Sequence, residues 1–327
     1  MAHLLVTGGA GYIGSHALRA LRRAGHGVVV LDDLRAGTAS FAQGAPLVRA
    51  DVGDAHELER LFSMRGPFDA VLHFAAHLSV AESVAEPLKY FSNNVSATVT
   101  LAEACVRHGV RAFVYSSSAA VYGDGANPPI QQSAPLSPAI PFGASKAMAE
   151  RVLADVEAAY GMRYAALRYF NASGADPEGG IGERHDPETH LIPLALEAAA
   201  GLRPELVLFG TDWPTPDGTC VRDYVHVTDL ADAHVRAVEA LLAGGPGGPF
   251  NLGTGRGRSN REVLDTVERV VGKRVPVQVG PRRPGDPAVL VADPSRFRAE
   301  LGFEPRLSDL ERIVATAWAW LRESRGV

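Results

Sequence analysis

Residues 6–15 read VTGGAGYIGS, and this stretch decides the fold. It follows a short apolar run, His3–Thr7, and leads into a helical pattern, Ile13–Ala24. A glycine-rich turn between a strand and a helix is a common binding place for a dinucleotide in α/β proteins. The glycines are spaced GxxGxxG rather than the more familiar GxGxxG, so the flanking strand and helix carry the interpretation.

Each glycine of this turn has a physical task. Gly8 permits the tight turn, Gly11 lets a diphosphate approach backbone N–H groups, and Gly14 allows the helix to pack closely on the sheet. Tyr12 and Ile13, between the last two glycines, belong to the same predicted cofactor site.

The first half of the chain alternates short apolar runs with amphipathic helical patterns. This alternation predicts an α/β fold with a doubly wound parallel sheet of the Rossmann type, whose ligands bind beyond the carboxyl ends of the strands. The further predicted strands are Gly27–Asp32, Pro46–Arg49, Ala70–Phe74, Ala112–Ser116 and Tyr164–Tyr169. The further predicted helices are Ala55–Met64, Asn94–His108 and Ala144–Tyr160.

The pattern loosens after about residue 170, where glycine, proline and polar residues become frequent. The predicted elements of this half are the helices Leu191–Ala200, Val227–Leu242 and Ser308–Ser324, with a glycine/proline hinge at Pro246–Pro249. We therefore predict a nucleotide-binding domain at 1–170 and a smaller α/β substrate-binding lobe at 171–327. Segments around 220–250 are expected to return to the first domain.

Two aspartates at the end of the second strand favour NAD as the cofactor. Asp32 and Asp33, in the sequence LDDL, stand where a carboxylate would bond the adenosine ribose hydroxyls and would repel the 2′-phosphate of NADP. The other predicted cofactor contacts at strand ends are Leu34, Asp51, Val52, Phe74, Ala75 and Ala76. A solvated loop explains Asp51 equally well.

The composition argues against several classes of protein. The formal net charge is only -5, and the lysines and arginines form no block, so neither nucleic-acid binding nor a polybasic membrane patch is expected. No apolar run approaches the roughly 18–20 residues of a membrane span. Cys105 and Cys220 lie far apart, and the histidines show no metal-binding spacing, so we expect buried free thiols and no metal site. No signal-peptide pattern is present, which predicts a cytoplasmic protein.

Further motifs carry a resemblance to a known family. SSSAAVYG ends the fifth predicted strand, and PFGASK opens the helix that follows it. The others are TGGAGYIGS, LDDL, HFAA, ESVAEPLKYFSNNV, RYFNASGA, DGTCVRDYVHVTDLADAH, FNLGTG and RRPGD. In these motifs, over almost its whole length, the chain resembles the extended short-chain dehydrogenase/reductase family, and within it the members that interconvert UDP-glucose and UDP-galactose.

The resemblance implies an NAD-dependent isomerase. In the family, a tyrosinate takes the C4 hydroxyl proton of the sugar while NAD⁺ takes the C4 hydride. The 4-keto sugar then rotates about its bond to the diphosphate and is reduced on the other face. Ser118 would bond the C4 oxygen, and Lys146 would bind the nicotinamide ribose and lower the pKa of a tyrosine expected at 142.

The same motif matches imply the remaining contacts. The cofactor would meet Asn93, Ser116 and Tyr169. The UDP-sugar would meet Phe170, Asn171, His190, Leu191, Phe209, Arg222, Tyr224, Arg283, Asp286 and Leu290. Arginine roles at a diphosphate agree with the fit of a guanidinium fork to phosphate oxygens.

Residue 142 departs from the family, because Phe142 stands where the tyrosine is expected. Loss of a positioned general base costs about 10²–10⁴ in rate, so we predict an impaired catalyst whose fold and ligand binding survive. The hydroxyl was either removed deliberately to trap substrate, or lost in a natural relative that is inactive or uses another base. Retention of Ser118 and Lys146 favours the first origin. Tyr122 and Tyr169 are possible substitute bases, but the position four residues before Lys146 fixes which ring faces C4.

Other functions remain open. Leu290 matches a gate over the sugar C2 substituent, where tyrosine narrows the pocket and a very small residue admits N-acetylated sugars. Leucine is intermediate, so UDP-glucose and UDP-galactose are expected and the N-acetylated pair is left open. A dehydratase would need an acid/base pair where this chain has Ala119-Ala120, and a UDP-glucuronate enzyme would need an additional basic residue. A non-catalytic NAD- or sugar-nucleotide-binding protein is supported only by Phe142.

The expected partners are therefore a UDP-sugar and a second copy of the chain. The helices Asn94–His108 and Ala144–Tyr160 are candidates to pair across a two-fold axis in a homodimer. Neither a nucleic acid nor a membrane is expected as a partner.

Overall fold

The computed structural model describes residues 1–124, 126–283 and 286–327, so Pro284 and Gly285 of the RRPGD motif lie outside the described residues. The strands are β1 (His3–Thr7), β2 (Gly27–Leu31), β3 (Leu47–Val48), β4 (Ala70–His73), β5 (Ala112–Ser118), β6 (Arg163–Tyr169), β7 (Asn171–Ser173), β8 (Leu206–Phe209), β9 (Val221–His226), β10 (Gly248–Leu252), β11 (Gly257–Ser259), β12 (Val277–Gly280) and β13 (Val289–Leu290). The helices are α1 (Tyr12–Arg23), α2 (Ala55–Arg65), α3 (Val80–Ala85), α4 (Pro87–Phe91), α5 (Ala97–Arg107), α6 (Pro141–Tyr160), α7 (Leu191–Ala200), α8 (Val227–Leu242), α9 (Asn260–Val271), α10 (Ser295–Leu301) and α11 (Leu310–Arg325).

Seven strands form a central parallel sheet in the order β3-β2-β1-β4-β5-β6-β10. Successive side chains of a strand point to opposite faces, so Leu4 and Val6 of β1 pack on one side of the sheet and Leu5 packs on the other. Helices α1 and α8 cover the first side, and α2, α5 and α6 cover the second. The predicted doubly wound α/β fold is confirmed. The strand order reverses between β1 and β4, which is where such sheets form their ligand crevice.

The last strand of this sheet comes from the second half of the chain. Strand β10 lies parallel to β6, with Gly248 opposite Ala165 and Leu252 opposite Tyr169. The hinge is therefore shorter than expected, since the strand already begins at Gly248. Pro249 is tolerated there because β10 is an edge strand, where one backbone N–H is not needed for the ladder.

A separate apolar cluster organises the rest of the second half. Helices α7, α9 and α11 pack together around buried residues such as Leu196, Val267 and Val314. Strand β9 pairs with β7, β11 and β13, and β8 pairs with β12. These short strands place the predicted substrate residues next to one another.

Two further expectations can be compared with the fold. Cys105 and Cys220 are buried free thiols, as predicted. Among the described residues, no helix has both the length and the apolar character that crossing a bilayer requires.

Candidate active site

The glycine turn forms a cradle of bare backbone after β1. Gly8 has a φ of 71°, and a Cβ built on it would lie 2.5 Å from the backbone nitrogen of Ala75. A Cβ on Gly14 would lie 2.1 Å from the carbonyl oxygen of Gly8. The N-cap of α1 is Gly11, which has no side chain to bond the first N–H groups of the helix. Those N–H groups are therefore available to a diphosphate.

Tyr12 ties this turn to the second half of the chain. Its buried hydroxyl donates a hydrogen bond of 2.6 Å to the carbonyl oxygen of Gly174, and burial raises the pKa of Tyr12 well above its ordinary value. The neighbouring Ile13 packs on the apolar cluster under α1. Both side chains thus fix the start of the helix.

The buried carboxylate of Asp32 shapes the loop after β2. It accepts hydrogen bonds of 2.9 Å from the backbone N–H groups of Ala10 and Leu34. Burial raises the pKa of Asp32, while these two bonds lower it. Asp32 therefore joins the glycine turn to the loop that carries Leu34.

Two more accessible carboxylates, those of Asp33 after β2 and Asp51 after β3, share one guanidinium. Arg35 donates to Asp33, with Nε 2.5 Å from Oδ2, and also to Asp51. Val52, next to Asp51, is buried against the second face of the sheet. Asp33 and Asp51 together outweigh the charge of the one guanidinium that they share, so the local charge disfavours a 2′-phosphate.

The end of β4 lies beside the glycine turn, as its small residues predict. The N–H of Phe74 donates a 2.9 Å hydrogen bond to the carbonyl of Thr7, and its ring centroid is 4.7 Å from that of His234. Ala75 then passes so close to Gly8 that a side chain at Gly8 would collide with it. Ala76 follows in the same loop.

A π-helical turn, Ser92–Ser96, connects α4 and α5 and carries two asparagines. Asn93, a predicted cofactor residue, donates a 2.9 Å hydrogen bond to the side chain of Asn94. Asn94 was not predicted, although it is buried and accepts from the backbone N–H of His77 at 2.9 Å. Its amide also donates to Ser145 Oγ at 3.1 Å. Asn94 therefore holds the loop after β4 against the start of α6.

The predicted reacting centre lies where β5 ends and α6 begins. Ser118 is the last residue of β5, and its Oγ accepts a 3.2 Å hydrogen bond from the N–H of Ala120. Phe142 lies in the first turn of α6, one turn before Lys146. The Lys146 Nζ lies 5.9 Å from the centroid of the Phe142 ring.

Lys146 is buried, and its ammonium donates a 2.7 Å hydrogen bond to the carbonyl oxygen of Ser116. Burial lowers the pKa of Lys146 to about 7, although the nearby Glu150 opposes the change. The structure thus brings Ser116, Phe142 and Lys146 together, and Ser118 ends the same strand as Ser116, as the motifs predict.

A second group gathers four predicted substrate residues. Arg222 bonds the carbonyl of Pro287 at 2.8 Å, and its NH2 lies 4.0 Å from Asp286 Oδ1. Arg283 Nε lies 3.2 Å from Asp286 Oδ2, and its guanidinium carbon lies 4.6 Å from the centroid of the Phe209 ring. Two arginines therefore share one carboxylate, which leaves an excess positive charge suited to an anion.

Strand register aligns the other predicted substrate residues with this group. Asn171 on β7 lies opposite Tyr224 on β9, and Leu290 on β13 lies opposite Arg222 on β9. Tyr224 is buried, and burial raises its pKa. Leu290 and Phe170 pack on the small apolar cluster around Tyr122. His190 caps α7 and Leu191 begins it.

The chain matches a known family over most of its length. The sequence model of the NAD-dependent epimerase/dehydratase family covers residues 4–253. The chain belongs to this family. The predicted resemblance is thereby confirmed at the level of the epimerase family, and the predicted cofactor, NAD, is that of the family.

Individual epimerases are similar over nearly the full chain. A UDP-glucose 4-epimerase of Azospirillum brasilense is 50% identical over 320 residues, which covers 98% of this chain and 92% of that one. The solved UDP-glucose 4-epimerase from Brucella ovis in complex with NAD superposes with a TM-score of 0.94 at 48% identity, covering 98% of both chains. The UDP-glucose-4-epimerase from Stenotrophomonas maltophila with bound NAD and formylated UDP-arabinopyranose gives a TM-score of 0.95 at 42% identity, covering 100% of both.

The residues of this epimerase-family chain fit NAD. The positions of Gly8 and Gly14 leave no room for side chains, so backbone alone can line the turn. The free N–H groups of α1 suit the diphosphate, and the carboxylates of Asp32 and Asp33 suit a ribose without a 2′-phosphate.

Tyr122 and Tyr169, the two predicted substitute bases, are both engaged in other hydrogen bonds. The Tyr122 hydroxyl donates to Asn251 at 2.6 Å and accepts from Arg168 at 2.7 Å. The Tyr169 hydroxyl lies 2.6 Å from Nε2 of His234. Burial raises the pKa of both phenols. Neither hydroxyl is therefore suited to take a proton from a sugar.

A buried ion pair between β6 and α6 holds the helix that carries the predicted reacting centre. Arg168 on β6 grips Glu150 on α6 with two nitrogens, NH2 at 2.5 Å and Nε at 2.9 Å. Ser117 Oγ donates to the same carboxylate at 2.5 Å. Glu150 lies one helical turn beyond Lys146, so this pair fixes the helix face that carries Phe142 and Lys146.

Proposed function

We propose that this chain is a UDP-glucose 4-epimerase that binds NAD and interconverts UDP-glucose and UDP-galactose at a strongly reduced rate. The observation that carries the proposal is the grouping of Ser118, Phe142 and Lys146 at the end of β5, in a chain similar over its full length to UDP-glucose 4-epimerases. When bound, NAD supplies the redox chemistry by accepting the hydride of sugar C4 and returning it.

The chain's own residues position the cofactor. The glycine turn would hold the diphosphate through backbone N–H groups, and Asp33 is the more accessible carboxylate for the adenosine ribose. The Lys146 ammonium would turn from the Ser116 carbonyl to the nicotinamide ribose. Asn93 and Tyr169 would flank it.

The substrate is held by charge at one end and by a hydroxyl at the other. Arg222 and Arg283 would bind the diphosphate, and Asp286, now between them, would bind the uridine ribose. The Ser118 hydroxyl would donate to the sugar C4 oxygen, because its own oxygen already accepts from Ala120.

Removal of the C4 hydroxyl proton is the step whose rate Phe142 would lower. Phe142 has no group that can take this proton, and Tyr122 and Tyr169 are engaged in buried hydrogen bonds. The proton must then leave through Ser118 or water. The rate is expected to fall by about 10²–10⁴ relative to a tyrosine-bearing form.

The direct test is the identity of bound small molecules. The purified protein would be denatured and its released ligands identified by mass spectrometry, with calorimetry of UDP binding on the intact protein. We expect NAD and UDP uptake. If the intact protein takes up neither molecule, both predicted sites are wrong.

A non-catalytic binding protein is the alternative function that one observation, Phe142, favours. It would also retain NAD and a UDP-sugar, but substitution of tyrosine at 142 would restore no activity. Rescue by Phe142→Tyr therefore separates the two functions.

The substrate range depends on Leu290. Leu290 packs on the same apolar cluster as Phe170, which supports the gate role, and leucine would leave a pocket of intermediate width. We expect Leu290→Ala, in a Phe142→Tyr background, to raise kcat/KM for UDP-N-acetylglucosamine relative to UDP-glucose. An unchanged ratio would remove Leu290 from the gate.

The protein is proposed to be a cytoplasmic homodimer. Met148 on α6, Val84 on α3 and Leu88 on α4 are at least half exposed, and α3 and α4 pack against α6. Such an apolar surface favours burial against a second copy. Met148→Glu should shift sedimentation towards the monomer, whereas Met64→Glu on α2 should not. The two buried free thiols suit a reducing compartment.

A further inference from the structure

Two histidines and two glutamates converge in the loop between β7 and α7. Glu183, His185, Glu188 and His190 each offer one ligand atom, and these four atoms lie within 4.8 Å of one another. We propose that this Glu183/His185/Glu188/His190 cluster binds a divalent transition-metal cation, with Zn²⁺ as the best fit.

The spacing of the atoms suits a tetrahedral ion. Zinc bonds to nitrogen and oxygen are about 2.1 Å long, so neighbouring ligand atoms lie about 3.4 Å apart in a tetrahedron. His185 Nδ1 lies 3.2 Å from Glu183 Oε1 and 3.6 Å from Glu188 Oε2, distances close to this tetrahedral spacing. His190 and Glu183 are in direct contact and would separate by about an ångström to admit the ion.

Three of the four side chains are largely withdrawn from solvent, and His190, with 49% of its side chain exposed, lies at the open side of the cluster. The side chains of Glu183 and Glu188 are only 6% and 9% exposed. One oxygen of Glu188 accepts from the N–H groups of Thr189 and His190, at 2.7 and 2.9 Å, which leaves the other oxygen for His185. Among the described residues, the buried Nδ1 of His185 has no hydrogen-bond partner of good geometry.

The donor chemistry selects the class of ion. Imidazole nitrogens with carboxylate oxygens are the ligands of zinc and its transition-metal neighbours, whereas Mg²⁺ prefers oxygen ligands and retains water. The two carboxylates of the cluster supply two negative charges, which match the charge of a divalent cation.

The cluster joins three parts of the molecule. The carbonyl of Glu183 accepts a 2.7 Å hydrogen bond from Trp320 on α11. The ring centroid of His185 lies 6.2 Å from that of Tyr12 in the glycine turn. His190 is the N-cap residue of α7. Four protein ligands are typical of a structural site. A bound ion would therefore fasten this loop to both halves of the chain and raise the melting temperature.

The test measures bound zinc directly. The full-length protein would first be dialysed against a chelator and then against buffer. It would then be titrated with ZnCl₂, and the bound zinc would be measured by equilibrium dialysis. We expect one ion per chain, with the affinity lowered at least about 10-fold in His185→Gln and in Glu188→Gln. His108→Gln is the matched control, because His108 is bonded to Glu59 outside the cluster, and it should bind zinc normally. MgCl₂ should not compete.

The outcomes are distinct from those that bear on the epimerase proposal, because the readout is metal content rather than activity. Circular dichroism and NAD content would establish that each variant is folded. The proposed site would be overturned if the unmodified protein bound less than one zinc ion per chain. It would also be overturned if the folded cluster variants bound zinc as tightly as the His108→Gln control.

Discussion

If the proposed function is correct, adding one oxygen atom at residue 142 should raise the epimerase rate strongly. The side chain of Phe142 is only partly buried at the start of α6, so Phe142→Tyr needs no repacking of the core. A positioned general base contributes about 10²–10⁴ in rate, which corresponds to about 2.7–5.4 kcal/mol of transition-state stabilisation.

The structure also gives the pH at which the introduced base should act. At 5.9 Å, the distance from Lys146 Nζ to the ring centroid, and an effective dielectric constant of about 20, a tyrosinate and an ammonium attract by about 2.8 kcal/mol. This energy corresponds to about 2 pKa units, so the pKa of the introduced phenol should fall from about 10 to about 8. By reciprocity, the tyrosinate raises the pKa of Lys146 and keeps it protonated.

The assay is a coupled measurement of UDP-glucose formed from UDP-galactose between pH 6 and pH 10. We expect Phe142→Tyr to exceed the unmodified chain at least about 100-fold and to rise through a pKa near 8. In the double variant Phe142→Tyr/Lys146→Met the rise should move towards pH 10. Equal rates for the single variant and the unmodified chain would refute the assignment of residue 142 as the base position.

Three other perturbations follow from the packing and charge of the site. Gly14→Ala should release NAD during purification, because the new Cβ would lie 2.1 Å from a backbone oxygen. Gly27→Ala is the control and should retain NAD, because the nearest atom to its new Cβ would lie 3.6 Å away, an ordinary contact; equal NAD content in the two variants would contradict the cradle. Burial lowers the pKa of Lys146 to about 7, whereas its unfolded value is near 10.5, so the unfolded chain binds more protons than the folded chain between these pH values. The free energy of unfolding, measured with urea, should therefore rise with pH over that range, and it should rise less steeply in Lys146→Met. An equal rise in the two proteins would contradict the burial effect. Arg168→Met should lower the free energy of unfolding by about 3–5 kcal/mol, because it leaves Glu150 buried with an uncompensated charge. The double variant Arg168→Met/Glu150→Leu should recover part of that loss. If the free-energy losses of the two single variants simply add in the double variant, the two side chains do not interact.

The central sheet could be predicted because its strands and helices follow local patterns. The bounds of β1 were predicted fully, and those of α1 lie within one residue of Ile13–Ala24. Helix α6 begins at Pro141, the first residue of PFGASK and three residues before the predicted bound at Ala144, because proline is favoured in the first turn of a helix. Helix α9 was missed, although Ser259 and Glu262 form a capping box that marks its start.

Long-range contacts could not be predicted from spacing. Glu150 and Arg168 belong to different elements, and only the packing of α6 on β6 brings them together. The convergence of Glu183, His185, Glu188 and His190 was not predicted, for a similar reason. Glu183 and His190 are seven residues apart in an irregular loop, with none of the helical spacing that marks a familiar metal motif. Asn94 lies in a π-helical turn, which an ordinary helical pattern does not reveal.

The placement of β10 has a consequence during synthesis. The open edge of β6 is covered only by residues 248–252, so a ribosome must translate most of the message before that edge is closed. Until then the nascent chain presents an unsatisfied row of backbone donors and acceptors, which invites pairing with other chains. Truncated products that stop before residue 248 should therefore be recovered mainly in inclusion bodies.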